Sequence, residues 1–332
     1  METKLVDIEE AARLLRARAV VAFPTETVYG LGALATCDEA VSNIFAAKGR
    51  PGDNPLIVHI GAVEQLCSVV SDVCVSAQKL MDAFWPGPLT VILPKHENLS
   101  PLVTAGLSTV GVRLPSHPVA LALLRAVNLP IAAPSANVSG RPSPTRASHV
   151  LDDLAGRIAG VLDGGDAEIG LESTVIDCTA TPPMILRPGA VTRAEIEAVI
   201  GPVQAVRSEE KVDAPRSPGM KYKHYAPNAP MSIVRGSAAF FRQVVAAARA
   251  RGQRVGLLVT EESRHEYEAD AVVICGTRQD AATVARRLYG ALRELDEAGV
   301  DVIFCESFPE ADGYEAVMNR LLKASGYRVI EE

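Results

Sequence analysis

The chain has 332 residues, 48% of them hydrophobic and 5% aromatic, and a formal net charge of −7. Its length makes two domains the expectation. The acidity recurs in residues 1–200, with 15 Lys+Arg against 21 Asp+Glu, and Trp85 is the one tryptophan; both argue against a bulk electrostatic grip on RNA or an anionic membrane and against a base-stacking platform.

Met1 to Glu10 lacks the charged-then-apolar pattern of a signal peptide, and no apolar stretch approaches the roughly 20 residues that span a bilayer. The six cysteines (37, 67, 74, 178, 275 and 305) form no CxxC pair, as suits reduced thiols. A cytoplasmic protein with no membrane partner is expected.

In chain order, strands are expected at Val20–Phe23, Leu56–Ile60, Leu89–Leu93, Val110–Leu114, Pro130–Ala133, Gly160–Leu162, Thr174–Asp177 and Met184–Leu186. Helices are expected from Thr36, where Thr36-Cys-Asp-Glu39 reads as a capping box, to Lys48-Gly49. Others run over 76–84, 118–127 and 145–155, and from a second capping box at Thr192-Arg-Ala-Glu195. The unequal strand spacing implies a twisted, mixed α/β sheet over residues 1–201. Residues 202–230 hold prolines at 202, 215, 218, 227 and 230 and read as a linker. Within it, Ser217 to Pro227 crowds Tyr222, His224 and Tyr225 beside Lys221 and Lys223, which fits a functional role better than a passive spacer. Residues 231–332 read as a smaller, Rossmann-like, doubly wound domain: strands at Met231–Val234, Arg254–Val259, Ala271–Ile274 and Val302–Cys305, and helices over 237–251, 281–298 and 313–325. With no G-x-G-x-x-G after its first strand and no Walker A motif, that domain is assigned no nucleotide.

Chemistry concentrates in the first domain. Pro24-Thr-Glu-Thr-Val-Tyr-Gly30 delivers hydroxyls and a carboxylate at the end of a strand; Lys48-Gly-Arg50 is followed by Asn54-Pro-Leu. A lysine in the last turn of a helix is explained by the helix dipole alone, but Arg50 beyond the cap is not, and two cations on a glycine turn can converge on a polyphosphate. Ala133-Pro-Ser135-Ala-Asn137 to Ser143-Pro-Thr145 leaves a strand and enters a helix, presenting hydroxyls, an amide and backbone N–H groups to an anion; taken by itself it reads as an ordinary turn with Thr145 as N-cap. Arg113, on a strand beside Thr109, needs a carboxylate partner, either a structural one such as Glu26 or that of a ligand. Ser173-Thr174 and Arg187-Pro-Gly189 follow, and His59 sits on an apolar strand, where a hydrogen-bonded core histidine is the commoner outcome. No nucleophile triad, zinc spacing or HExxH stands out, which leaves magnesium carried by a nucleotide as the expected metal.

Taken together, Pro24–Gly30, Lys48-Gly-Arg50, Asn54-Pro-Leu, Pro134-Ser-Ala-Asn137, Glu172-Ser-Thr174 and Arg187-Pro-Gly189 resemble the YrdC-type threonylcarbamoyl-AMP synthases in their long form, with a C-terminal accessory domain. The resemblance implies that L-threonine, bicarbonate and ATP, with Mg²⁺, give L-threonylcarbamoyladenylate and pyrophosphate, the adenylate feeding modification of the tRNA adenosine beside the anticodon. It places Thr27, His59, Arg113, Ala133 and Ser173 around threonine. It places Arg50, Asn54, Thr109, Ser135, Ser143 and Arg187 around ATP, with the linker as a lid and its Tyr225 reaching over the nucleotide. Lys48, Arg50, Ser135 and Asn137 would stabilise the reacting phosphates. A tRNA or the downstream threonylcarbamoyl-transferase complex is the partner it suggests. Rival readings are an O-carbamoyltransferase, which would bring CxxC pairs and further catalytic domains, an RNA-binding module, and a nucleotide-binding regulator.

Overall fold

A computed structural model describes residues 2–206, 224–309 and 313–332. Most of the proposed lid, 217–223, therefore lies outside the described residues. The described chain forms two compact units. The first comprises residues 2–139, 144–168 and 172–206; the second comprises 140–143, 169–171, 224–309 and 313–332.

The first unit carries strands β1 (Lys4–Val6), β2 (Val21–Phe23), β3 (Gly30–Leu34), β4 (Ile57–His59), β5 (Leu89–Pro94), β6 (Thr109–Arg113), β7 (Ile131–Ala132), β8 (Gly160–Leu162), β9 (Thr174–Asp177), β10 (Met184–Arg187) and β11 (Gln204–Ala205). They form one mixed sheet in the order β1-β8-β2-β3-β7-β4-β6-β5-β9-β10-β11. Its helices are α1 (Ile8–Arg16), α2 (Asp38–Lys48), α3 (Val75–Phe84), α4 (Pro101–Thr104), α5 (Pro118–Val127), α6 (Ala147–Leu154) and α7 (Arg193–Ile200). Alternation along the central strands decides where the site can be. Val58, Val110, Val112, Leu89, Val91, Leu93 and Ile176 join the main hydrophobic core. Their alternates, Ile57, His59, Thr109, Gly111, Arg113, Thr90 and Ile92, point to the opposite face. That second face carries the polar residues.

Two local expectations are corrected. The Thr36 capping box does not form: α2 starts one residue later, with Cys37 at the N-cap and no side-chain cap bond. Thr145 is not an N-cap either, since α6 begins at Ala147 behind Arg146. Two elements not expected from the sequence, α1 and β3, flank β2. Asp7 caps α1 by accepting from the Glu10 N–H, and its last turn holds Arg13 and Arg16, which complement the helix dipole. The box at Thr192 does form, with Glu195 bonding back to the N-cap.

The second unit is a five-stranded parallel sheet of β12 (Met231–Arg235), β13 (Val255–Val259), β14 (Ala271–Ile274), β15 (Val302–Glu306) and β16 (Val329–Glu331), in the order β14-β13-β15-β12-β16. The crossovers run through α8 (Ala238–Ala250), α9 (Ala281–Glu297) and α10 (Glu315–Ala324). Among the described residues no helix is long and apolar enough to cross a membrane.

Candidate active site

The polar face of the first sheet is built on β4 and β6, which pair in parallel with His59 opposite Arg113 and Ile57 opposite Gly111. Gly111 leaves the middle of this face open; a Cβ there would sit 3.1 Å from Thr90 Cγ2. Thr109 and Arg113 stand four residues apart on one strand, about 13 Å at the usual rise.

At the Arg113 end every charged group is buried and engaged. Arg113 Nη2 pairs with Glu26 Oε1 at 2.5 Å, and both side chains are 4% exposed. Its Nη1 donates to Thr27 Oγ1 at 2.8 Å and its Nε to the Gly87 carbonyl at 3.2 Å. Glu26 is thus the structural partner that a strand arginine requires. Burial pushes the Glu26 carboxyl up, but the Arg113 guanidinium and the backbone N–H groups of Glu26 and Ser116 outweigh it, so its pKa is lowered. Thr27 is in turn fixed by Thr25, whose hydroxyl lies 2.8 Å from that of Thr27 and donates to the Val28 carbonyl.

His59 lies 4% exposed beside this pair, edge-on to Phe23 with ring centroids 5.9 Å apart. Burial, then repulsion from Arg113, brings its pKa down to about 3. The ring is therefore neutral near pH 7. Its Nδ1 faces the Ile57 carbonyl at 3.3 Å; a carbonyl only accepts, so the proton sits on Nδ1 and Nε2 is left as an acceptor.

On the flanking strands, Arg187 donates through Nε to the Ser173 carbonyl and through Nη2 to Ser173 Oγ, which lies 2.8 Å from Thr90 Oγ1. Gly189 lets this corner close: a Cβ there would fall 2.3 Å from the Thr174 nitrogen and 2.6 Å from the Ser173 carbonyl carbon.

The other constellation gathers at the opposite end of β4. Lys48, in the last turn of α2 before Gly49 in the left-handed conformation, is 2% exposed. Its Nζ donates to the Ser135 carbonyl at 2.5 Å and the Asn137 carbonyl at 2.6 Å. Ser135 Oγ donates to Asn137 Oδ1, and the Asn137 amide to the Val138 carbonyl. Burial, then Arg50, depresses the Lys48 ammonium well below its ordinary range, with Asp153 opposing. Lys48 is therefore seated beneath the 135–139 loop rather than projecting into solvent. Arg50 is half-buried and donates to the Asn54 carbonyl at 3.3 Å. Asn54 is fully buried, and its Oδ1 and Nδ2 have no hydrogen-bond partner among the described residues. Ala133 is tied to β4 by its N–H on the Ile57 carbonyl.

Comparison with known proteins gives the family. The Sua5/YciO/YrdC family model, described as "Telomere recombination", matches residues 13–189, and the model described as "Threonylcarbamoyl-AMP synthase, C-terminal domain" matches residues 191–326. The chain belongs to this family. The threonylcarbamoyl-AMP synthase of Bacillus subtilis is 54% identical over 99% of this chain and 96% of its own length. That of Pyrococcus abyssi is 48% identical over 98% and 95%. The crystal structure of P. abyssi Sua5 complexed with L-threonine superposes with a TM-score of 0.94 at 45% identity, covering 100% of this chain and 99% of that one.

Thr27, His59, Ala133, Arg113, Ser173, Arg187 and Thr109 lie on or against the polar sheet face of this chain, and Lys48, Arg50, Asn54, Ser135 and Asn137 cluster at its β4 entry. Ser143 and Tyr225 belong to the second unit. Ser143 is buried, and Tyr225 stacks on Tyr289 with centroids 5.3 Å apart under the Arg320 guanidinium. Sequence reasoning did not reach Thr25, Thr90 or the Gly87 carbonyl. A threonine in an apolar strand gives no signal until its cross-strand partner is known.

Proposed function

We infer that this chain is a threonylcarbamoyl-AMP synthase, converting L-threonine, bicarbonate and ATP to L-threonylcarbamoyladenylate, pyrophosphate and water. The adenylate supplies the threonylcarbamoyl group for the tRNA adenosine next to the anticodon. The observation that carries the reading is a sheet face with a buried, oriented guanidinium and a neutral imidazole at one end and a lysine-braced Ser/Asn loop at the other, in a chain matching enzymes of that name over nearly its full length.

Three of the five N–H groups of Arg113 are engaged in the protein, which leaves two for the threonine carboxylate. Thr27 and Ser173 offer hydroxyls beside it, and the Ala133 backbone closes the side. The neutral His59 ring adds no positive charge next to the threonine amine. That amine must lose its proton before its lone pair attacks carbon dioxide formed from bicarbonate. A carbamate oxygen then attacks the α-phosphorus and pyrophosphate leaves. No protein nucleophile is needed, so catalysis is positioning and charge stabilisation.

Arg50, Thr109, Ser135 and Arg187 are assigned to ATP. Lys48 acts mainly through the loop it braces: it fixes the Ser135 and Asn137 carbonyls, and with them the place of the Ser135 side chain assigned to ATP. The buried amide of Asn54, with both polar atoms open, fits the same ligand; its Nδ2 suits a phosphate oxygen and its Oδ1 a Mg²⁺ ion carried by the nucleotide. Such an ion would neutralise charge on the departing pyrophosphate. A product this labile favours direct transfer to a threonylcarbamoyl-transferring partner, and tRNA binding, if it occurs, needs a local rather than global basic surface.

The test is incorporation of ¹³C-bicarbonate. Mass spectrometry should find one labelled carbon in an adenylate that forms only with threonine present. An unlabelled adenylate, or one formed without threonine, would overturn the assignment.

A further inference from the structure

The second unit contains a cavity of about 290 Å³ that none of the chemistry above uses. Its position follows from the topology. The chain leaves β13 toward β14 on one side and leaves β15 toward β16 on the other, although β13 and β15 are neighbours. Loops that diverge from adjacent parallel strands open a crevice at the carboxyl ends, which is where ligands bind in such sheets. The cavity lies there, lined by Thr260 and Ser263 after β13, Glu306 at the end of β15, Ser237 at the N-cap of α8, and Phe241 within that helix.

Two nearly buried side chains face this space with a polar atom open. Glu306 has a side chain 8% exposed. Its Oε2 accepts from the Thr260 N–H at 2.9 Å and hydroxyl at 3.1 Å and pairs with Arg278 at 3.2 Å; its Oε1 has no partner among the described residues. Tyr267 is 8% exposed. Its hydroxyl likewise takes no partner among the described residues, while its ring packs on Phe241 with centroids 4.4 Å apart. The charges are unequal. Glu262, Glu266 and Glu306 line the cavity against the single guanidinium of Arg278, which is already held by Glu306, the Ser307 carbonyl and the Phe308 ring. Arg242 reaches Glu266 only at 3.8 Å, with both side chains about half exposed.

An anion would meet three carboxylates here. A neutral polyol would leave the excess of carboxylates over the Arg278 guanidinium unbalanced. A protonated amine supplies both the charge and the donors that Glu306 Oε1 and the Tyr267 oxygen can accept, and its methylenes fit against Phe241 and the Tyr267 ring. We propose that this crevice is a binding site for a small aliphatic amine, of the size and charge of a diamine or short polyamine.

The test uses the full-length chain without ATP, titrated with putrescine and with spermidine by calorimetry at physiological salt. Succinate and ribitol serve as anionic and neutral controls. Saturable binding of an amine, weakened about tenfold or more by Glu306→Gln and measurably by Tyr267→Phe, is the expected result, since one charge-assisted hydrogen bond is worth at least that factor. Tyr267→Phe keeps the ring and the fold, so it carries the test if Glu306→Gln, which also disturbs the Thr260 bonds, does not fold. No saturable amine binding overturns the proposal. Binding that both variants leave unchanged marks general attraction to an acidic protein and overturns it too, as does preferential binding of succinate or ribitol.

Discussion

Removing the carboxylate of Glu26 should uncover what holds the Arg113 end of the site together. In Glu26→Ala the guanidinium remains in a place where both original side chains are 4% exposed, with only the neutral Thr27 hydroxyl and Gly87 carbonyl as partners. Breaking a buried pair from one side costs about 3–5 kcal/mol, because a charge is left without compensation. Trp85 is the one tryptophan; it lies in the first unit and bonds through Nε1 to the Leu89 carbonyl, so its fluorescence reports unfolding of that unit. At a urea slope of about 2–3 kcal/mol/M for a unit this size, the midpoint should fall by roughly 1–2 M. The pH dependence carries the sign. The folded Glu26 pKa lies below its ordinary 4.5, so its contribution is complete above the unfolded value and is lost as pH falls through the folded one. The gap between wild type and variant should therefore close in acid. Threonine at about a hundred times its Kd should return up to ~2.7 kcal/mol to either protein that still binds it. A midpoint shift below about 0.3 M, or a gap unchanged in acid, would refute the ion pair as the organising contact.

The remaining expectations concern single side chains. His59, with its pKa brought down to about 3 by burial and Arg113, takes up fewer protons folded than unfolded. Stability should fall as pH drops below about 6.5, His59→Gln should flatten that slope, and imidazole NMR shifts should show no His59 titration above pH 5. Lys48→Met leaves the Ser135 and Asn137 carbonyls without their donor; ATP KM should rise and kcat fall together, and Lys48→Arg should not restore them, because its planar fork does not fit a site made for an ammonium. Arg50→Ala should cost about 2–4 kcal/mol in kcat/KM for ATP, the scale of one preorganised charged donor, with threonine affinity little changed. Gly189→Ala forces a Cβ to within 2.3 Å of the Thr174 nitrogen and should cost about 1–3 kcal/mol in the Trp85 melt while displacing Ser173.

Much of this was legible beforehand, for physical reasons. Apolar runs such as Leu89–Leu93 and Thr174–Asp177 became strands because only pairing satisfies their buried backbone. The Arg113 strand demanded a carboxylate, and Glu26 was a candidate from the start. Other features were hidden. β3, Gly30–Leu34, has the sequence Gly-Leu-Gly-Ala-Leu and no β-branched residue, so propensity argued against the strand that its neighbours β2 and β7 impose. α1 carries its own signal in Asp7, Glu9, Glu10, Arg13 and Arg16, the cap and charge pattern of a helix that precedes the Pro24–Gly30 motif. At Thr36 the spacing was right, but the backbone enters α2 one residue later, so the box has no N–H to cap. Lys48 shows the limit of motif reading: its spacing from Arg50 suggests two cations reaching one phosphate, whereas its Nζ braces two carbonyls 87 and 89 residues along the chain, a contact that only the fold creates.

Pyrophosphate release from ATP by the purified full-length protein, with threonine and bicarbonate omitted in turn, tests the central claim most directly. Release that requires both substrates and disappears when either is withheld is the predicted result. Release indifferent to threonine, or none with Mg²⁺, ATP and both substrates present, would contradict it.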